Sequence, residues 1–261
     1  MSDSSPGNGE VTVAVGGDLV AEIEIHRPPN NFFDLDLIGE LANLIGELDE
    51  RDDCRAAVLC SEGKHFCAGA NLNARRDATG DGGERHLYDE AVRLFDTKTP
   101  IVAAVQGAAV GGGLGLALMP DFRVACPEAR FSANFARLGF VQGFGLTVTL
   151  PRLVGRQRAL EMFYTGRRVK GEEALRIGLC DDLVPPDQVR ARARELAGEI
   201  AVSAPLAVRS IREMMRGQLA AEIRAATDHE KAEQNRLRQT ADFAEGVRAM
   251  TERRPPRFVG A

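Results

Sequence analysis

Two glycine-bearing segments, Cys67-Ala68-Gly69-Ala70-Asn71-Leu72 and Gly111-Gly112-Gly113-Leu114-Gly115, hold the groups best suited to chemistry in this chain. Each follows an apolar run: Ala56-Ala57-Val58-Leu59-Cys60 before the first, Ile101-Val102-Ala103-Ala104-Val105 before the second. Glycine lets backbone approach a ligand closely, and the second cluster opens the apolar stretch Leu114 to Met119, which reads as a helix start. Two backbone N–H groups from two such loops can converge on one carbonyl oxygen, the arrangement of an oxyanion hole. Carboxylates that would let such a hole serve in adding water are missing nearby.

The elements that must position these loops alternate between strand and helix. Val11 to Val15 and Leu19 to Ile25 flank Gly16-Gly17-Asp18 and predict a hairpin, with Ala21, Ile23 and Ile25 alternating against Glu22 and Glu24. Asp34 is placed to cap a helix whose apolar face is Leu37, Ile38, Leu41, Leu44, Ile45 and Leu48. A strand around Val58 leads into the first glycine loop, and Gly80 to Gly83 reads as a mobile loop. Glu84 to Thr97 reads as a helix with Leu87, Ala91, Leu94 and Phe95 on one face, ended by Thr99-Pro100 before the strand at 101–105. Short strands are expected at Phe122 to Cys126 and Arg130 to Ser132.

From Leu153 onward the pattern turns almost wholly helical and charge-rich, with helices at Arg190 to Ser203, Pro205 to Leu219, Glu222 to Arg238 and Asp242 to Glu252. The expected organisation is a disordered tail over 1–10, an α/β core over 11–190 and a helical region over 191–261. Leu206, Val208, Ile211, Met214 and Met215 in that last region need a partner surface, on the core or on a neighbouring subunit.

At 261 residues the chain can bury one sizeable core. A formal net charge of −5 with no basic stripe argues against nucleic acid as a partner. Apolar runs fall short of the roughly 18 residues of a membrane span. Five cysteines without a CxxC pair and four histidines without ligand spacing point away from a metal. The odd cysteine count without a targeting signal fits a reducing cytoplasm.

The landmarks His26-Arg27-Pro28, Phe66 to Leu72, Lys98-Thr99-Pro100 through Gly107, Gly111-Gly112-Gly113, Asp242 to Gly246 and Arg254 to Phe258 follow one another along nearly the whole chain. In that order and spacing they resemble the crotonase superfamily, the enoyl-CoA hydratase/isomerase family. The resemblance implies a β-β-α spiral core, a C-terminal helical trimerisation region giving a homotrimer or hexamer, and an acyl-CoA thioester as ligand. Coenzyme A then arrives as part of the substrate and no separate cofactor is expected. The thioester-oxygen donors fall on the N–H groups of Ala70 and Gly112. Lys64, Ala68, Asn71, Leu72, Asn73, Gly111 and Gly113 fall where the family binds its substrate, while Pro29 and Asn73 replace basic residues common in relatives.

The same resemblance exposes a departure. Hydratases of the family carry one glutamate just after the glycine triplet and a second twenty residues later, and here those positions are Gly115 and Phe135. A third acid position, used by dehalogenases and dienoyl isomerases, falls on Gly143. Standard hydration therefore loses its proton-transfer groups, and Phe135 is expected to narrow the substrate space. Tyr88 falls where dehalogenase relatives place a histidine that faces the acyl group, and it is the leading polar candidate. Gln142 and Asn134 lie in segments that would line the acyl pocket, where each could orient a water. Isomerisation, decarboxylation and hydrolysis through a stabilised oxyanion are the expected chemistries. A catalytically silent acyl-CoA binder or assembly subunit, and a hydratase with relocated acid and base, are the alternatives.

Overall fold

The computed structural model describes residues 9–70 and 86–261. Asn71, Leu72, Asn73 and the Gly80 to Gly83 loop lie outside the described residues, as does most of the 1–10 tail. Strands β1 (Val11–Val15) and β2 (Val20–Ile25) form the expected hairpin, antiparallel with Val11 opposite Ile25. β2 then pairs in parallel with β3 (Ala56–Ser61), and β3 with β4 (Ile101–Val105). Strands β3 and β4 are buried along their whole length, which is why they read as continuous apolar runs rather than alternating ones. A second, three-stranded sheet places β7 (Arg130–Ser132) between β5 (Ala108–Val110) and β8 (Val169–Lys170).

Helix α1 (Leu35–Asp49) starts as the sequence requires: Asp34 Oδ1 accepts from the Leu37 N–H at 3.0 Å. A cap of this kind is worth about 1 kcal/mol. The other Asp34 oxygen accepts from Arg27 at 2.7 Å, which ties the helix start to the end of β2. Helix α2 (Leu87–Phe95) is capped by His86, whose ring accepts from the Tyr88 N–H; the start expected at Glu84 lies outside the described residues.

Beyond Leu153 the structure is less uniformly helical than expected. Helices α4 (Leu146–Val154), α5 (Arg156–Thr165) and α6 (Gly171–Arg176) are accompanied by β8 and by β9 (Asp182–Leu183). β9 pairs in parallel with β6 (Phe122–Ala125), so the main sheet runs β1-β2-β3-β4-β6-β9. Helix α7 (Val189–Ala201) lies on that sheet against β2, β3, β4 and β6, burying Val189, Ala193, Ala197 and Ala201. Helix α7 of the C-terminal region thus packs directly on the core.

Helix α8 (Pro205–Arg216) meets the core through its charged face. Asp121 accepts from Arg212 at 3.0 Å, from Arg216 and from the Ile101 N–H, while Arg216 also donates to the Met119 carbonyl. Burial alone would raise the Asp121 pKa, but the two arginines outweigh it and hold the carboxyl below its ordinary value. The apolar positions point outward instead: Leu206, Ile211, Met214 and Met215 are all exposed. Removing Asp121 would leave two arginines uncompensated, and broken buried ion pairs typically cost about 3–5 kcal/mol. Asp121→Ala is therefore expected to lower the urea midpoint sharply, with α8 detaching first in hydrogen exchange. An unchanged midpoint would show that the apolar face, not the ion pairs, anchors this helix. Among the described residues no helix is long and apolar enough to cross a membrane.

Candidate active site

The first glycine loop runs beside the second because their backbones are laced together. Cys67 N–H donates to the Ala108 carbonyl at 2.9 Å, and Val110 N–H donates back to the Cys67 carbonyl at 3.1 Å. The approach is close enough that Gly113 cannot carry a side chain, since a Cβ there would lie 2.2 Å from the Cys67 carbonyl oxygen. Gly69 turns the loop at φ +100° and Gly111 turns the other at φ +58°, both conformations that favour glycine. Gly111 is then the residue from which helix α3 (Gly112–Leu118) departs.

Neighbouring donors are used: Gly111 N–H bonds the Ser132 carbonyl, and Ala68 N–H bonds the Asn30 carbonyl. Among the described residues, the N–H groups of Ala70 and Gly112 have no hydrogen-bond partner. Both residues are half-buried, and the two loops that carry them adjoin.

Around them the structure places aromatic rings. Phe33 donates its N–H to the Gly69 carbonyl at 3.1 Å, and its ring lies so close to Gly112 that a Cβ there would sit 2.4 Å from Phe33 Cζ. Phe33 meets Phe144 edge to face, centroids 5.6 Å apart. Phe144 fills the space beside Gly115: a Cβ at 115 would lie 2.6 Å from Phe144 Cβ. The Tyr88 hydroxyl does the same at Gly143, 1.7 Å from where a Cβ would stand, with Gln234 Nε2 on the same point at 2.7 Å. Phe135 and Asn134 face Gly111, Phe135 packing edge to face with Phe140 at 5.5 Å.

Helix α9 (Leu219–Leu237) holds the loop that carries these groups. Glu230 is buried, and its carboxylate accepts from the Gly145 N–H at 3.0 Å, the Thr147 N–H at 3.0 Å and the Thr147 hydroxyl at 2.5 Å. Burial pushes its pKa up, against the opposing pull of these hydrogen bonds. Gln234 donates to the Val141 carbonyl at 3.0 Å. Glu230 thus caps the start of α4 from another helix, and its oxygens are engaged in that task.

The site residues expected from sequence divide accordingly. Ala68, Ala70, Gly111, Gly112, Gly113 and Phe135 come together at the paired loops, and the Tyr88 hydroxyl reaches the segment beside Gly115. The Gln142 amide instead donates to the Thr147 hydroxyl at 2.9 Å, which makes it a loop tie. Lys64 is exposed in the turn that leads to the first loop. His65 points away, accepting from the Ala108 N–H at 3.3 Å, and burial lowers its pKa. Elsewhere Glu22, Glu24 and Cys60 approach one another, but Arg190 pairs with both carboxylates and supplies their counter-charge. Sequence reasoning missed Phe33, Phe144, Glu230 and Gln234. The signals were present as a large ring between two glycines (Gly143-Phe144-Gly145) and as Ile223, Thr227, Glu230 and Gln234 on one helix face.

The family model for enoyl-CoA hydratase/isomerase matches residues 16–261. The chain belongs to the enoyl-CoA hydratase/isomerase family. It is 33% identical over 240 residues to the short-chain-enoyl-CoA hydratase of Clostridium acetobutylicum, covering 90% of this chain and 92% of that one. To the peroxisomal fatty acid beta-oxidation multifunctional protein AIM1 of Arabidopsis thaliana it is 37% identical over 196 residues, spanning only 27% of that longer protein. A crystal structure of an enoyl-CoA hydratase/isomerase from Pseudoalteromonas atlantica T6c superimposes with a TM-score of 0.87 at 29% identity, covering 96% of this chain and all of the other. The fold is thus the crotonase fold, with the helical C-terminal region the sequence led us to expect.

Proposed function

We propose that this enzyme binds an acyl-CoA thioester with its carbonyl oxygen between the Ala70 and Gly112 N–H groups and stabilises the negative charge that develops there. The observation that carries this reading is a pair of N–H groups without a partner among the described residues, on two loops laced side by side. At the two positions where the family resemblance puts the hydratase glutamates this chain carries Gly115 and Phe135, and Phe144 fills the space beside Gly115. Among chemistries of a thioester oxyanion, loss of carbon dioxide from an α-carboxyacyl (malonyl-type) thioester asks least of the side chains. The bond between Cα and the carboxylate breaks, its electron pair moves into the enolate, and the hole holds the oxygen charge. No base is needed. A proton must then reach Cα, and we assign its delivery to the Tyr88 hydroxyl, which reaches the loop at Gly143 and is reprotonated from solvent. Isomerisation and hydrolysis use the same hole but each needs a base.

The exposed apolar face of α8 fits burial against a second copy, as a homotrimer or hexamer would provide. A hydratase with relocated acid and base is the second reading, favoured by the Clostridium relative's name. The test is turnover of malonyl-, crotonyl- and acetoacetyl-CoA by chromatography. Conversion of malonyl-CoA to acetyl-CoA is expected, falling about 10²-fold or more in Tyr88→Phe if the hydroxyl transfers the proton. Binding of every thioester with turnover of none would instead mark a silent acyl-CoA-binding subunit.

A further inference from the structure

Phe33 belongs to both halves of the site, through its backbone to the loop bearing Ala70 and through its ring to Gly112. Phe144 continues the wall, edge to face with Phe33 on one side and with Phe95, centroids 6.5 Å apart, on the other. All three rings are almost fully buried, Phe144 at 1% exposure. Phe33 stands over Gly112 and Phe144 over Gly115, one at each end of the first turn of α3.

The wall is also held in place. Phe144 sits at φ +61°, a backbone conformation uncommon for a residue with a side chain. On one side of it the Gly145 N–H is fixed by Glu230, and on the other the Gly143 carbonyl accepts from the Leu146 N–H at 3.3 Å. Moving the backbone that carries the ring would disturb both, and burial between Phe33 and Phe95 leaves the ring itself little room to turn. A left-handed phenylalanine clamped at its two neighbours is a fixed stop.

We propose that Phe33 and Phe144 close the acyl side of the pocket shortly beyond the thioester, so that the protein selects short acyl chains over long ones. This rests on the acyl-CoA reading above. In an open apolar channel each added methylene would tighten binding roughly four-fold. Against a fixed wall it tightens nothing.

The experiment is calorimetric titration of the full chain with acetyl-, butyryl-, hexanoyl- and octanoyl-CoA, saturated thioesters whose binding needs no chemistry. Affinity is expected to be flat or falling beyond butyryl-CoA. Phe144→Gly, which suits the left-handed backbone and removes the ring, is expected to tighten octanoyl-CoA at least ten-fold while butyryl-CoA changes little. Phe33→Leu should do so to a lesser degree, and serves if Phe144→Gly does not fold. Steady tightening from butyryl- to octanoyl-CoA in the unaltered protein overturns the proposal. Equal affinity for octanoyl-CoA in the unaltered and both altered proteins overturns it too. No heat with any of the four overturns the acyl-CoA reading itself, and the proposal with it.

Discussion

Replacing Gly112 by proline in a Phe33→Leu background is expected to cut thioester turnover about 10²–10³-fold, the usual loss on deleting one oxyanion-hole donor. Gly112 is the first residue of α3, the position where proline is best tolerated because that N–H has no partner within the helix. The substitution therefore removes the donor and leaves the helix. Phe33 must be trimmed first, since its Cζ would stand 2.4 Å from the new Cβ. Phe33→Leu alone is the reference, so that the loss read is that of the N–H. A turnover-independent readout is the carbonyl resonance of bound [1-13C]acetyl-CoA. Two donors polarise the carbonyl and move its signal downfield, and one should move it visibly less. Equal shifts and equal rates in the two proteins would mean that the thioester oxygen sits elsewhere.

The paired glycine loops were plain in the sequence and the rings beside them hardly at all, for a physical reason. A backbone N–H needs only a glycine-rich loop at the end of a strand, and both loops announce themselves by composition. The role of Phe144 depends on a contact across the fold with Gly115, and no local pattern encodes such a contact. The fold divides in the same way. The hairpin, the Asp34 cap and the buried strands β3 and β4 follow from alternation, cap chemistry and apolar runs. β8 and β9 span two residues each and carry no period to detect. α7 shows an apolar stripe, but a stripe says which face is buried and not on what. α8 inverts the usual rule, turning Arg212 and Arg216 inward to Asp121 and its leucine and methionines outward. The position of Asp121 at the sheet end explains the inward arginines.

Hydration of crotonyl-CoA is expected to be at least about 10⁴-fold below that of an enzyme with both acid–base groups, because each such group contributes about 10²–10⁴-fold. Polarisation at Ala70 and Gly112 would persist, but it does not deprotonate water. Restoring an acid is not a one-residue matter here. In Gly115→Glu the new Cβ would meet Phe144 Cβ at 2.6 Å, so that variant should be destabilised and no more active. Adding Phe144→Gly removes the obstacle and suits the φ of +61°. Losing a buried ring costs about 3–5 kcal/mol, part of which the glutamate stem would offset by filling the space. The double variant should therefore hydrate crotonyl-CoA faster than either single one, followed as loss of the enoyl thioester absorbance. A rate in the unaltered protein like that of ordinary hydratases would place the acid and base at positions other than Gly115 and Phe135.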